Sequence, residues 1–213
     1  KLTYLKSDFE NNFALDLLNN NLFFLNTSGE LYSIDYLEQK INWVINFKNP
    51  LLSGDATLFL SYPIVIKNNN LIVSTEKSLS SYNTLTSLRN WILPIEPIFK
   101  PIITLNYTYA VLKNNLLICI ENLNGKVVWS QNLFTYIGNK KIKNKFGSII
   151  DLKIVNNEIN IYSKNGYLLA FNPNNGNLTS SSRVSKNGIT SEVIFLDDNM
   201  IFIDKKNKLF KFN

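Results

Sequence analysis

The chain of 213 residues is long enough to bury a substantial core, as one large domain or two small ones. Its content of 45% hydrophobic and 18% charged residues is typical of a folded globular protein and excludes a disordered tail. With no histidine and a single cysteine, Cys119, it cannot supply a Ser/His/Asp triad, a Cys/His pair, a histidine-containing zinc site or an internal disulfide. The apolar run around Cys119 predicts a buried thiol rather than a nucleophile.

The formal charge of +6 does not predict a nucleic-acid partner. Arg89 and Arg183 are the only arginines, whereas proteins that read nucleic acid rely on the bidentate guanidinium group. Asparagine accounts for about one residue in six, and lysine and isoleucine are also abundant. The basic charge therefore reflects a compositional bias, and we expect no nucleic-acid binding.

Short apolar runs separated by asparagine- and glycine-rich turns predict antiparallel β-strands along the whole chain and no long helix. The first predicted strand, 2–7, stands alone. The first full set of strands is 13–18, 21–26, 31–36 and 41–47. The fourth set is 149–156, 158–163, 167–172 and 178–184, and the last three strands are 191–196, 200–204 and 208–212.

The three tryptophans each end a similar passage: LYSIDYLEQKINW at 31–43, LSSYNTLTSLRNW at 79–91 and LICIENLNGKVVW at 117–129. Residues 168–180 fit the same frame without a gap, with Ser180 in the tryptophan position. Equivalent positions recur every 38 to 51 residues, which is the length of a four-stranded propeller blade. We therefore predict an all-β protein, a β-propeller of four-stranded antiparallel blades with about five blades in this chain.

We expect residues 1–213 to form a single propeller domain or a propeller fragment. The chain starts with one strand that matches the fourth strand of a set. It ends after three strands that match the first, second and third strands of a set. Either the first strand completes the last blade and closes a ring, or the chain is a piece of a larger propeller. It begins at Lys1 rather than at a methionine, which favours a piece of a longer protein.

The repeat resembles the PQQ-like repeat, also called the quinoprotein-dehydrogenase-like propeller repeat. The first unit carries the pattern best, and the third unit adds a Gly-Lys-x-x-Trp ending. The matching residues are Gly29, Leu31, Tyr32, Ile34, Asp35 and Trp43, with Gly125, Lys126 and Trp129 in the third unit. The resemblance implies a propeller, and it implies that Trp43, Trp91 and Trp129 dock each blade against the next one.

The resemblance leaves several functions open. Catalytic members bind pyrroloquinoline quinone and calcium and often carry a vicinal disulfide, whereas this chain has scattered carboxylates and no adjacent cysteines. We therefore expect no cofactor, no metal and no enzyme activity. The resemblance to BamB-type outer-membrane assembly lipoproteins implies a non-catalytic scaffold that binds protein partners of the outer-membrane assembly machinery.

That resemblance also implies a periplasmic or outer-membrane-associated protein of a Gram-negative bacterium, peripherally attached through an N-terminal lipid anchor that this sequence lacks. The alternatives are a sensor or ligand-binding ectodomain and a fragment of a PQQ-dependent dehydrogenase. A longer gene with a lipoprotein signal, a transmembrane helix or several more blades would distinguish these three classes.

Two further segments are candidates for contacts. Four lysines lie close together in the sequence GNKKIKNKFG, and they predict either an electrostatic contact with an acidic partner or a solvated loop. These are Lys140, Lys141, Lys143 and Lys145. Apolar residues around Pro94 and Pro97 predict either an exposed docking site or core between blades, and we favour the core. They are Leu85, Leu88, Leu93, Ile95 and Ile98.

Overall fold

The computed structural model of the protein describes residues 14–16, 20–47, 59–75, 77–135, 144–196 and 199–212. The described residues form nineteen β-strands in five antiparallel sheets, one for each predicted repeat. Residues 144–145 are the only helical ones among them. The predicted strand 2–7 lies outside the described residues.

The strands follow one another in the order of the chain. The first sheet contains β1 (Ala14–Asp16), β2 (Asn21–Leu25), β3 (Glu30–Asp35) and β4 (Lys40–Asn46). The second contains β5 (Val65–Lys67), β6 (Asn70–Ser74), β7 (Leu79–Asn83) and β8 (Arg89–Leu93). The third contains β9 (Ile102–Ile103), β10 (Tyr107–Val111), β11 (Leu116–Glu121) and β12 (Val127–Asn132). The fourth contains β13 (Ile149–Val155), β14 (Glu158–Ser163), β15 (Tyr167–Phe171) and β16 (Leu178–Arg183). The last contains β17 (Ile194–Leu196), β18 (Asn199–Ile203) and β19 (Leu209–Phe212).

Neighbouring strands in the order of the chain are also neighbours in each sheet, which is the up-and-down order of a propeller blade. The predicted strands of the first, fourth and last sets are confirmed, with ends that differ by a few residues. The largest difference is β17, which begins at Ile194 rather than at residue 191.

The middle strands of the second, third and fourth sheets are largely buried on both faces. In β6 and β7 of the second sheet, and in β14 of the fourth, almost every side chain is buried, without the alternation of a sheet that has one wet face. The fourth strands β4 and β16 are mostly exposed. The middle strands of these three sheets are therefore covered on both faces.

The chain divides into two compact units. Unit 1 comprises residues 1–108 and 120–126, and one of its core clusters joins the first two sheets and Ile64, which precedes β5. The other members of this cluster are Phe23, Leu25, Leu31, Leu71, Val73 and Tyr82. Unit 2 comprises residues 109–119 and 127–213. One of its clusters joins the fourth and last sheets through Tyr162, Ile189, Val193 and Phe202.

Candidate functional site

The turn between the third and fourth strands of each of the first two sheets is fixed by one side chain. Asp35 Oδ1 accepts hydrogen bonds from the backbone N–H groups of Leu37 and Glu38, both at 2.9 Å. Asn83 occupies the same repeat position and accepts from the N–H of Leu85 at 2.9 Å. Such Asx turns replace the peptide partners that the turn lacks. Positions in a repeat are counted along the aligned 13-residue passages, which begin at residues 31, 79, 117 and 168. The side chain at the seventh position then lies at the tip of the turn.

That tip carries a leucine in the first three repeats. Leu37 is 64% exposed, Leu85 57% and Leu123 83%. A single exposed leucine needs no explanation, but three at one repeat position are a structural feature. We call Leu37, Leu85 and Leu123 the rim leucines.

The core interpretation of the segment around Pro94 is wrong for Leu85 and for Leu88, which is 68% exposed.

A β-bulge interrupts the pairing between the third and fourth strands of the first two sheets. In the first sheet the register shifts between Ser33 and Ile34, so that Asn42 is the extra residue on β4. The second sheet has the same bulge, with Asn90 as the extra residue on β8. A bulge redirects the side chain of the unpaired residue.

Each redirected asparagine forms a hydrogen bond with the first residue of the second strand of its own sheet. Asn42 Nδ2 donates to Asn21 Oδ1 at 2.8 Å. Asn90 Nδ2 donates to Asn70 Oδ1 at 3.2 Å. We call Asn21–Asn42 and Asn70–Asn90 the amide pairs.

Small buried residues leave room for these pairs. Ser33 and Ser81 are fully buried on the third strands, and their hydroxyl oxygens accept from the same asparagine amides at 3.4 and 3.0 Å. The third repeat has Cys119 and Val128 in the corresponding positions, and the fourth has Ala170 and Thr179. The asparagine–serine combination therefore belongs to the first two repeats.

Two open grooves contain the amide pairs, and both lie within unit 1. Groove 1 has a cavity volume of about 480 Å³ and groove 2 of about 590 Å³. Groove 1 is lined by Asn20, Asn21, Asp35, Lys40, Asn42, Trp43, Thr84 and Leu85. Groove 2 is lined by Asn69, Asn70, Asn83, Asn90, Leu105, Asn106, Tyr107, Glu121, Asn122 and Leu123.

The grooves are built from equivalent residues. In each, one wall comes from a sheet with an amide pair, and the other wall is the turn of the following repeat with its rim leucine, Leu85 or Leu123. Groove 1 contains one acid and one base, Asp35 and Lys40. Groove 2 contains Glu121 as its only charged residue, and the carboxylate accepts from Asn124 Nδ2 at 2.7 Å. The lining of groove 1 therefore has no net charge, whereas groove 2 has one negative charge that is hydrogen-bonded to an amide, and both grooves are rich in hydrogen-bond donors and acceptors.

The tryptophans that the sequence predicts as docking residues make one recurring contact. The indole N–H donates to the backbone carbonyl of the sixth position of the next repeat. The acceptors are Thr84 for Trp43 at 2.9 Å, Asn122 for Trp91 at 2.8 Å and Pro173 for Trp129 at 3.0 Å. The contact satisfies the one polar group of a large apolar side chain. Their docking role stays a prediction that this geometry motivates.

The same indoles pack on the turn glycines of the next repeat. Gly125 has a φ of +76°, and a Cβ added there would lie 2.7 Å from Trp91 Cγ. Gly176 has a φ of +72°, and a Cβ would lie 2.5 Å from Trp129 Cε3. In the second repeat, Ser87 adopts the same left-handed conformation with a φ of 60°. Glycine is therefore favoured at this position in the third and fourth repeats for two reasons, conformation and space.

The remaining predicted site residues divide between described and undescribed parts of the chain. Lys145 is exposed, whereas Lys140, Lys141 and Lys143 lie outside the described residues, so their contact role stays a prediction. Cys119 is 1% exposed, as expected, and burial raises the pKa of its thiol to about 11. Within the described part of the chain, no cluster of three or more metal-ligating side chains is present.

The amide pairs and the rim leucines were not predicted from the sequence. Their signal is visible in the ungapped alignment of the repeats: the tripeptides INW and RNW place an asparagine before the tryptophan, and leucine recurs at the seventh position. Without the bulge, however, neither asparagine would be expected to approach the second strand.

One protein-family model matches residues 17–213, and it is described as outer membrane protein assembly factor BamB. No curated protein matches the sequence. No helix in the described ranges is long and apolar enough to cross a membrane.

Solved structures share the fold at low sequence identity. BamB from Moraxella catarrhalis is 12% identical with a TM-score of 0.66, and the match covers 93% of this chain and 55% of that one. This chain therefore spans about half the length of that protein. Hsv2 from Kluyvelomyces marxianus is 11% identical with a TM-score of 0.67, covering 91% and 56%. The computationally designed protein Ika4 is 12% identical with a TM-score of 0.56, covering 78% and 98%. The predicted all-β propeller class is confirmed.

Proposed function

Because this chain belongs to the family of outer membrane protein assembly factor BamB, we propose that it is a non-catalytic propeller scaffold that binds protein partners during outer-membrane protein assembly. The rim leucines are the observation that carries this proposal. Apolar side chains exposed at equivalent positions of consecutive repeats mark a surface for another protein. They project from turns, which is where a rigid propeller presents its binding residues.

The composition of the two grooves supports the same function. Their walls combine amide side chains with an exposed leucine, and this mixture of polar and apolar groups is typical of protein interfaces. Trp43, Trp91 and Trp129 would hold neighbouring blades in fixed positions, so that leucines on different turns act as one surface. The lysine-rich segment that ends at Lys145 would add an electrostatic contact with an acidic partner.

The proposal includes the location that the family membership suggests. The protein would act in the periplasm of a Gram-negative bacterium, attached to the outer membrane by a lipid anchor that precedes the present sequence. Its partners would be components of the outer-membrane assembly machinery.

Site-specific crosslinking in cells tests this function. A photo-crosslinking amino acid is introduced into the full-length protein at each rim-leucine position in turn, and the crosslinked proteins are identified by mass spectrometry. We expect crosslinks to an assembly component from at least Leu85 and Leu123, which line the grooves. The matched control is Leu209, which is 72% exposed on β19 and should give no such crosslink.

Crosslinks from the rim positions to proteins outside this machinery would contradict the assembly role and leave a scaffold of another system. Absence of any protein crosslink from all three positions would contradict the scaffold itself.

A further inference from the structure

The amide pairs of the first two repeats have unused hydrogen-bonding atoms. In the pair of groove 1, the bond from Asn42 Nδ2 to Asn21 Oδ1 engages one polar atom of each amide. Within the described structure, Asn42 Oδ1 has no donor and Asn21 Nδ2 has no acceptor. A bonded amide pair therefore presents one acceptor and one donor to the groove.

The second pair repeats this arrangement. Asn90 Nδ2 is engaged with Asn70 Oδ1, and the other polar atom of each amide has no protein partner among the described residues. One acceptor beside one donor is also what the edge of a β-strand presents. Both grooves thus offer the hydrogen-bonding pattern that a peptide group complements.

A buried hydroxyl beside groove 1 has no partner among the described residues, although it is not itself exposed to the groove. Thr84 lines this groove, and although the residue is only 2% exposed, its Oγ1 has no hydrogen-bond partner. Unpaired buried polar atoms are uncommon and costly in folded proteins. The backbone carbonyl of the same residue is already engaged by the Trp43 indole. The hydroxyl is therefore the part of Thr84 that remains to be satisfied.

The opposite wall supplies an apolar contact. Leu85 in groove 1 and Leu123 in groove 2 are exposed, so an apolar group of a ligand could cover them. In an extended peptide, successive side chains point in opposite directions, so that a backbone bonded to the amide pair would direct every second side chain to one wall. Polar amides beside leucine therefore match an extended peptide that has alternating apolar residues.

Groove 1 matches a neutral oligosaccharide less well. Sugar rings pack against open aromatic faces, but the Trp43 ring in groove 1 is committed to Phe23, with the ring centroids 5.7 Å apart, and to the carbonyl of Thr84. An aliphatic wall favours an aliphatic side chain.

We propose that the amide pairs Asn21–Asn42 and Asn70–Asn90 bind the backbone of an extended, uncharged polypeptide segment whose apolar side chains cover Leu85 and Leu123. The inference rests on the proposed function and assigns the chemistry of the client: the partner is held as an unfolded, extended strand rather than as a folded domain. This is recognition through main-chain hydrogen bonds, with the side chains adding selectivity.

The test measures binding of a synthetic, end-capped peptide of about ten residues, in which leucine alternates with serine, to the full chain by fluorescence anisotropy. The double variant Asn42→Val and Asn90→Val removes the amides and introduces the residue type that the third repeat has at Val128. We expect the variant to weaken peptide binding about tenfold or more, because each groove loses main-chain hydrogen bonds.

Two controls make the result specific. Circular dichroism and the thermal midpoint should show that the double variant remains folded, since valine is favourable on a strand. The same peptide with N-methylated backbone amides should bind the wild-type chain about as weakly as the variant binds the parent peptide, because methylation removes the donors. Asn174→Val, a change at an exposed asparagine of the fourth repeat that lines neither groove, should leave peptide binding unchanged.

Equal binding of the parent and N-methylated peptides, or binding unaffected by the double variant, would overturn the inference. Binding of maltohexaose in place of the peptide would also overturn it and identify a saccharide site. The crosslinking experiment fails independently: crosslinks to the assembly machinery together with no peptide binding would refute only the extended-strand inference, and peptide binding without those crosslinks would refute only the assembly role.

Discussion

Two junctions in this molecule join consecutive sheets by different means. At the junction of the second and third repeats, the indole of Trp91 is 7% exposed, packs on Gly125 and donates to the carbonyl of Asn122. The fourth repeat has an exposed Ser180 in the tryptophan position. There, the carboxylate of Asp151 on β13 accepts a hydrogen bond at 2.8 Å from the backbone N–H of Val193, which precedes β17.

The difference shows that consecutive sheets of the same repeat can be joined either by uncharged contacts or through a titratable carboxylate. We call these contacts the tryptophan joint and the fourth joint. The tryptophan joint consists of apolar area and one uncharged hydrogen bond, so its strength should not depend on pH. Asp151 is 2% exposed, and burial raises the pKa of its carboxyl, while the bond from Val193 and the Lys153 ammonium at 3.4 Å oppose this change. The fourth joint should therefore respond to protons.

The largest expected effect is that of Trp91→Ala. Removing a buried tryptophan should lower the free energy of unfolding by about 3 to 5 kcal/mol, measured by urea denaturation followed by circular dichroism. Trp91→Phe keeps most of the ring but leaves the carbonyl of Asn122 without its donor, and it should lose about 1 to 2 kcal/mol. Equal losses for the two variants would show that the hydrogen bond, rather than the packing, carries the joint.

Gly125→Ala attacks the same joint from the other side. The new Cβ would overlap the Trp91 ring, and alanine is strained at a φ of +76°. We expect a loss of about 2 to 4 kcal/mol in the same denaturation experiment. In the background of Trp91→Ala the loss should shrink towards the conformational part alone, and a cost unchanged by the tryptophan deletion would argue against the packing described above.

Asp151→Asn probes the titratable joint. An asparagine offers one carbonyl oxygen, and its NH2 group cannot accept a hydrogen bond as the hydroxyl oxygen of a protonated carboxyl still can. Either Val193 N–H or Leu152 N–H therefore loses its acceptor, and stability should fall by about 1 to 3 kcal/mol. Since the folded-state pKa of Asp151 is raised, its protonation stabilises the fold, and this stabilisation is lost as the pH rises through the folded-state pKa. The cost of the substitution should therefore be greatest below about pH 4 and decrease at higher pH.

Asp204→Asn is the matched control for that pH profile. Burial opposes the ionisation of Asp204, but hydrogen bonds from the N–H of Lys208 and the amide of Asn187 hold its pKa below the usual range. Its stabilising contribution is present above the unfolded-state pKa and is lost as the pH falls, so the cost of this substitution should increase with pH. If the cost of both substitutions changed with pH in the same direction, the opposite pKa shifts of Asp151 and Asp204 would be excluded.

The smallest expected effect is that of Ser87→Gly. Ser87 has a φ of 60° at the position that Gly125 and Gly176 occupy in later repeats, so glycine relieves the left-handed conformation. The gain is partly offset by the greater freedom of glycine in the unfolded chain, and we expect a net stabilisation of about 0.5 kcal/mol. Destabilisation would indicate that the serine side chain itself supports the Trp43 joint.

The repeat could be predicted from the sequence because tryptophan is rare in this chain and marks the same position in three of its units. The strands followed from apolar runs between asparagine-rich turns, and in the described residues they lie close to their expected bounds. The tryptophan donors could be expected to find acceptors, but not which carbonyl, because the acceptor belongs to another repeat. The acceptor carbonyl of each indole can be identified only from the packing of the sheets.

The binding residues escaped sequence analysis for physical reasons. Asn42 and Asn90 reach their partners because a bulge shifts the strand register, and a linear pattern of alternation does not reveal a bulge. Leu85 and Leu88 are apolar, so the sequence favours a core position for both, although they lie on an exposed turn. Asp151 was one of many scattered carboxylates until the structure placed it against the backbone of Val193.

The Asx turns separate the stability of the scaffold from the composition of its rim. Asp35 and Asn83 hold their turns through backbone N–H groups, so the residue at the tip has no structural duty and can change at little cost. The fourth repeat illustrates this freedom: Asn172 makes the same bond to the N–H of Asn174, and Asn174 stands where the earlier repeats have leucine. Such a molecule can acquire new partners by single substitutions at its turns while its fold is inherited unchanged.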